Sequence, residues 1–198
     1  MLKKIRTSIL PTDDVPKRDL VYAVTTYERC FTRYMNIRIL KKVLELSAFP
    51  YRFIDSRKQY LADSILEEAL QMRSARTQIV IVLTAADIYT EKMNYVFGLA
   101  TFGSALISSA RIQPSFWRNF ESLFHYVSKG RPFFEQQYAK VLLHEVGHAL
   151  GLPHCVRWDC AMHYSNSPIE LYRKGEKYCD WCQNLLLSSI RKLGSQTP

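Results

Sequence analysis

His144-Glu145-Val146-Gly147-His148-Ala149-Leu150-Gly151-Leu152-Pro153-His154, followed at once by Cys155, is the stretch around which this chain is organised. Two histidines four residues apart share one face of an α-helix, because about 3.6 residues complete a turn. Both imidazoles can therefore reach a single metal ion. Glu145 lies about 100° further round, able to reach a water on that ion without becoming a ligand. Gly151 can adopt the left-handed conformation that ends a helix, and Pro153 discourages the helix from resuming. The turn would bring His154 back as a third ligand.

Three protein ligands leave a fourth position open on a tetrahedral ion, which is what a catalytic zinc needs. The bare pattern HExxH could be an accident of a polar helix, but Gly151 and His154 at these offsets make it much more specific. Zinc peptidases of the other large class take a downstream glutamate as third ligand. Glu170 and Glu176 are available for that, yet His154 fits the glycine-turn spacing better.

The five cysteines carry a second signal. Cys155 and Cys160 form Cx4C, and Cys179 and Cys182 form CxxC. No signal-peptide-like apolar core follows Met1, so the thiols are expected to stay reduced in a cytoplasmic protein, and four of them at these spacings read as one structural zinc site. A thioredoxin-like redox role for Cys179-Asp180-Trp181-Cys182 would require a preceding strand in a βαβ unit, and the segment before it reads as loop. Cys30 reads as a small core residue.

With 198 residues, 47% of them hydrophobic and 23% charged, the chain has the composition of one ordinary globular domain. No apolar run is long enough to cross a membrane. The formal charge of +9 would suit an acidic partner, but the basic residues are scattered in short pairs, so neither nucleic acid nor a membrane surface is expected as partner.

Residues 1–18 read as a lead-in, loosely ordered and carrying no chemistry. The β-branched and aromatic run 20–27 reads as a strand and 32–46 as an amphipathic helix. A short strand follows at 50–55, and Ser56 to Gln59 has the form of a capping box opening a helix through about Arg73. Gln78 to Thr84, apolar without alternation, reads as a central parallel strand. Residues 94–100 and 104–109, closely connected, should pair antiparallel, leaving 95–100 as a candidate sheet edge on which a peptide or protein substrate could add. Residues 113–130, including the lone histidine His125, support no assignment. The motif helix opens at Pro132, and a C-terminal helix runs from about Cys179 to Leu193.

HEVGHALGLPHC, then Cys160-Ala161-Met162, then Cys179-Asp180-Trp181-Cys182 resembles the archaemetzincins, a group of metzincin zinc metallopeptidases. The resemblance implies an α/β fold in one compact domain over residues 19–198: a twisted mixed sheet, mostly parallel with one antiparallel edge strand, an active-site helix and a C-terminal helix. It implies two zinc ions, a catalytic one on His144, His148 and His154, and a structural one on Cys155, Cys160, Cys179 and Cys182. Glu145 would be the general base, and Met162 would lie beneath the catalytic metal. Met162-His163-Tyr164 departs from that pattern and looks more like the turn of the astacin and serralysin groups, where the tyrosine steadies the transition state. His163 is expected to be exposed.

The expected function is hydrolysis of peptide bonds by a zinc-activated water, with Glu145 as base and an aminopeptidase-like preference implied by the resemblance. Two other readings differ in what they require. A zinc-stabilised module binding nucleic acid or protein, or a catalytically silent metzincin-fold protein, would have no use for Glu145.

Overall fold

The computed structural model describes residues 4–74, 76–117 and 131–195. Two sheets and six helices are formed by these residues. The larger sheet has five strands in the order β2-β1-β5-β9-β8, namely Met35–Ile39, Ile5–Pro11, Ile79–Thr84, Ser104–Ser108 and Gly98–Thr101. Four run parallel, and β8 closes one edge antiparallel to β9. That is the mostly parallel sheet with one antiparallel edge that was expected. Its central strand β5, Ile79–Thr84, is apolar without alternation because both of its faces are covered. Ile9, Ile79, Ile81, Ala105 and Ile107 pack on the side of helices α1 (Lys17–Phe31) and α4 (Arg131–Ala149). Leu10, Val80, Val82 and Leu106 pack on the side of α2 (Ala62–Gln71).

A second, four-stranded sheet was not anticipated. Its order is β3-β4-β6-β7, from Tyr51–Ile54, Arg57–Leu61, Asp87–Thr90 and Met93–Val96. A single helical turn, α3 (Pro114–Trp117), follows β9, and α5 (Pro168–Arg173) and α6 (Asp180–Ser195) complete the chain. His125 and the rest of 118–130 lie outside the described residues.

Four expectations are corrected. The lead-in is not loose: Ile5–Pro11 is the second strand of the main sheet, hydrogen-bonded on both sides, with Ile5, Ile9 and Leu10 fully buried. Its Pro11 and the acidic pair after it suggested a flexible terminus, but Asp14 is a fixed acceptor for the Thr84 hydroxyl and the Ala85 amide, both at 3.1 Å. The run 20–27 is helical. Its β-branched residues favour a strand, yet Ala23, Tyr27 and Phe31 recur every four residues and fill one face, and that burial outweighs propensity. Tyr27 also donates to Thr7 Oγ1 on β1 at 2.6 Å.

Residues 32–46 contain β2 in place of a helix, because β1 is extended by a parallel partner from Ile5↔Met35 to Ile9↔Ile39. Ser56 to Gln59 is no capping box: Asp55 and Ser56 have φ of 47° and 64°, the two left-handed residues of a tight hairpin, and Gln59 lies within β4. Between His154 and Tyr178 the chain also forms the short helix α5.

Because β1 stands inside the sheet, Ile9→Ala should cost about 2–5 kcal/mol of unfolding free energy, whereas Lys17→Ala on the exposed start of α1 should stay within about 0.5 kcal/mol. Urea unfolding followed by circular dichroism would separate the two. A near-neutral Ile9→Ala would return the N-terminal segment to a loose lead-in.

Candidate active site

Helix α4 is enclosed on nearly all sides, with Phe133, Phe134, Tyr138, Val141, Leu142, Val146 and Ala149 in the core. A helix so buried can hold polar side chains only where each has a purpose or a partner. Its end is set by Gly151, whose φ is 85°. Leu152 N donates to Gly147 O at 3.0 Å and Gly151 N to His148 O at 2.8 Å, the paired bonds of a left-handed glycine cap. The chain then reverses, as the glycine spacing predicted, and returns His154 to the two helical histidines.

The three rings converge. Their ligand nitrogens lie within 4.8 Å of one another. His144 and His148 stand edge to face with centroids 4.6 Å apart, and His154 is 5.2 and 4.6 Å from them. His144 Nδ1 donates to Ala161 O and His148 Nδ1 to Leu152 O, each at 2.8 Å. A carbonyl only accepts, so both Nδ1 atoms carry the proton and both Nε2 atoms present a lone pair. Those two Nε2 atoms face each other at 3.2 Å. Burial holds all three imidazoles below their ordinary pKa, with the Lys174 charge adding to the effect, so a shared proton is a poor remedy. A divalent cation between the lone pairs satisfies the arrangement, and the donor set suits zinc.

Glu145 points into the same cavity, of about 330 Å3, and is almost fully buried. Burial pushes its carboxyl well above the usual carboxylate range, and the nearby Lys174 ammonium opposes that shift. Gly98 on β8 lies against it: a Cβ there would overlap the Glu145 Cγ and carboxyl. Edge strand and Glu145 are thus fitted to each other through a missing side chain.

Beyond His154 the cysteines gather as expected, with the four sulfurs within 4.8 Å of one another and none in a disulfide. Burial pushes the Cys160 thiol up, and the amides of Met162 and Cys179, both donating to its Sγ at 3.4 Å, oppose that shift. Met162 is fully buried, and a Cβ on Gly147 would run into its sulfur, so the methionine packs directly under the helix that carries the histidines. Cys30 is half-buried against the same core. His163 is half-buried as well, not free in solvent, with Nδ1 3.1 Å from Cys155 O. The Tyr164 ring stands edge-on to His154 at 4.9 Å, its hydroxyl 3.8 Å from Met93 Sδ at the mouth of the cavity.

Lys174 escaped the sequence reading. In Arg173-Lys174-Gly175-Glu176-Lys177 it looks like one charge of a solvated run. It is 5% exposed and lines the catalytic cavity. Gly175 explains the burial in part: its Cα approaches Asp159 O so closely that no Cβ would fit, which draws this segment inward against the cysteine loop.

The family model of peptidase family M54 matches residues 43–188. An archaemetzincin of Pyrococcus furiosus is 31% identical over 178 residues, covering 88% of each chain. One from Methanocaldococcus jannaschii is 32% identical over 184 residues, covering 92% of this chain and 93% of its own. Among solved structures, the archaemetzincin of Methanopyrus kandleri superposes with a TM-score of 0.73 at 24% identity, over 95% of this chain and 96% of that one. That of Archaeoglobus fulgidus, solved complexed with malonate, gives 0.69 at 25% identity, over 91% and 99%.

Gly98→Ala should displace the Glu145 carboxyl while leaving the histidines in place. Expected is a loss of hydrolytic rate of about tenfold or more, since a misplacement of order 1 Å in a reacting group has effects of that size or larger, with metal content unchanged. Full activity in Gly98→Ala would mean that Glu145 does not depend on this contact.

Proposed function

This chain belongs to peptidase family M54, the archaemetzincins, and is a zinc metallopeptidase; on that premise we propose which residues hold the metal and which move the proton. His144, His148 and His154 hold the catalytic zinc, Glu145 is the general base, and Cys155, Cys160, Cys179 and Cys182 hold a second, structural zinc. The observation that carries the reading is the pair of lone-pair-bearing Nε2 atoms facing each other at 3.2 Å in the cavity that the buried Glu145 carboxyl also lines. When bound, zinc polarises a carbonyl oxygen and brings the acidity of water towards neutrality. Glu145 takes the proton from the attacking water and returns it to the leaving amine, a role favoured by a carboxyl whose basicity burial has raised.

The substrate is a peptide or protein, and we place it along β8. Gly98, Leu99 and Ala100 line the cavity from the open edge of the main sheet, where backbone N–H and C=O groups can pair with an added extended chain. Tyr164, beside His154 at the cavity mouth, stands where a phenol could approach a developing oxyanion. An aminopeptidase-like preference would need a site for the substrate's ammonium group. A free amino terminus calls for a carboxylate partner, and Glu145 is the one carboxylate among the described cavity residues. Among the described residues no helix is long and apolar enough to cross a membrane.

The test is a peptide-library digest of parent and Glu145→Gln proteins, each assayed for metal content. Both proteins should hold two zinc ions per chain, and Glu145→Gln should cut at least about 10²-fold more slowly. Equal cleavage by the two would remove Glu145 from the mechanism, and one zinc per chain would leave one of the clusters unfilled.

A further inference from the structure

We propose that Lys174 reads a carboxylate on the substrate, so that the peptides cut best carry, next to the scissile bond, an acidic side chain or a free C-terminus. The proposal rests on the peptidase reading of the same cavity. It begins from an imbalance of charge. Lys174 is 5% exposed, and a buried ammonium is costly unless it is paired and fully hydrogen-bonded. Among the described residues its side-chain nitrogen has one hydrogen bond, to His163 O at the long distance of 3.5 Å. No described carboxylate forms an ion pair with it.

A neighbouring lysine shows what a satisfied site looks like. Lys140, 2% exposed, donates to Leu171 O at 3.3 Å and to Tyr172 O at 2.6 Å. Lys174 has no comparable pair of acceptors. It lines the catalytic cavity together with His144, Glu145 and Leu171, and its charge is felt by all three histidines. Burial works against the Lys174 charge, the carboxylate of Glu145 is the main group that favours it, and in the peptidase reading that group is committed to the reacting water. Zinc on the histidines would make the cavity more positive still. An anion entering with the substrate would complete both the charge and the hydrogen bonding of Lys174, and the carboxylate is the anionic group that peptides themselves supply.

A purely structural role is the competing account, in which Lys174 straps the end of α5 to the carbonyl of His163. The two differ in substrate preference. Matched peptides would carry Glu or Gln on either side of a scissile bond, and, in a second set, a free acid or an amide at a nearby C-terminus. These would be given to the zinc-loaded parent, Lys174→Met and Lys174→Arg proteins.

The parent should favour the acidic member by about tenfold or more in kcat/KM, expressed mainly in KM, as for a charge-assisted hydrogen bond made in a buried site. Lys174→Arg should keep the direction of that preference, and Lys174→Met should reduce the ratio to about one. Whether the first or the second peptide set shows the effect identifies side chain or terminus as the source. Binding of the same peptides, labelled with a fluorophore, to Glu145→Gln protein with and without Lys174→Met is read by anisotropy. This arm keeps the question decidable if nothing is cut. Cleavage without preference, or a preference that survives Lys174→Met, would overturn the role of Lys174 and leave the peptidase reading intact. Absence of cleavage together with Lys174-dependent binding of the acidic peptides would uphold Lys174 and overturn the hydrolytic mechanism.

Discussion

The segment from Cys155 to His163 is where the site is held together, because its backbone serves both the histidine cluster and the cysteine cluster. Ala161 O accepts from His144 Nδ1 and so sets the tautomer of one proposed catalytic ligand. One residue earlier, Cys160 supplies a sulfur to the other cluster, and one residue later, Met162 packs against Gly147 between the two helical histidines. Cys155 N donates to Met162 O at 2.9 Å, closing the segment into a loop, and Ala161 N donates to Lys177 O at 2.8 Å on the way to the CxxC pair. His154 and Cys155 are adjacent in sequence, so a displacement at either cluster is transmitted across one peptide unit. Outer contacts of this kind fix the orientation of ligands as much as the ligands themselves do.

The frame around that loop is rigid for a different reason. The main sheet is buried on both faces, and α4 is packed between it, α1 and α5. Interiors packed at crystal-like density do not deform continuously, so His144 and Glu145 are held on a helix that has little room to move. Tyr178 adds a direct brace, its hydroxyl donating to Leu143 O at 2.5 Å, one residue before the first histidine and one residue before Cys179. Polar groups that would ordinarily be excluded from such an interior, Gln137, Lys140, His144, Glu145 and Lys174, are concentrated along the α4 and α5 contact. Their burial raises the basicity of Glu145 and lowers that of the histidines, both in the direction that a metal-dependent hydrolase requires.

How much of this was legible in the sequence depends on how local the cause is. The histidines, Glu145, Gly151 and the four cysteines are arranged by helix pitch, one glycine cap and short loop spacings, all of which can be read from neighbouring residues. The parallel central strand β5 and the antiparallel β8–β9 pair were also legible, from an unbroken apolar run and a short connection. The N-terminal third was not. Whether Leu20 to Tyr27 becomes helix or strand is decided by what it packs against, and Tyr27 is fixed by Thr7 on a strand that reads in sequence as a loosely ordered lead-in. The hairpin at Asp55 and Ser56 carried neither glycine nor asparagine, the usual signals for left-handed residues. Lys174 could not be found at all without the fold, since burial of a charge in a basic run leaves no local trace.

Mechanical joining of the histidine and cysteine clusters through the Cys155–His163 loop is therefore the claim on which the description of the site stands or falls. It is tested by measuring zinc affinity at the histidine cluster, by chelator competition, in the parent and in a Cys179→Ser/Cys182→Ser double variant shown by circular dichroism to be folded. Loss of the structural site should weaken the histidine site by about ten- to a hundredfold, as loss of orienting outer contacts does elsewhere. An unchanged affinity at the histidines in a folded double variant would contradict it, and the two clusters would then be neighbours without being coupled.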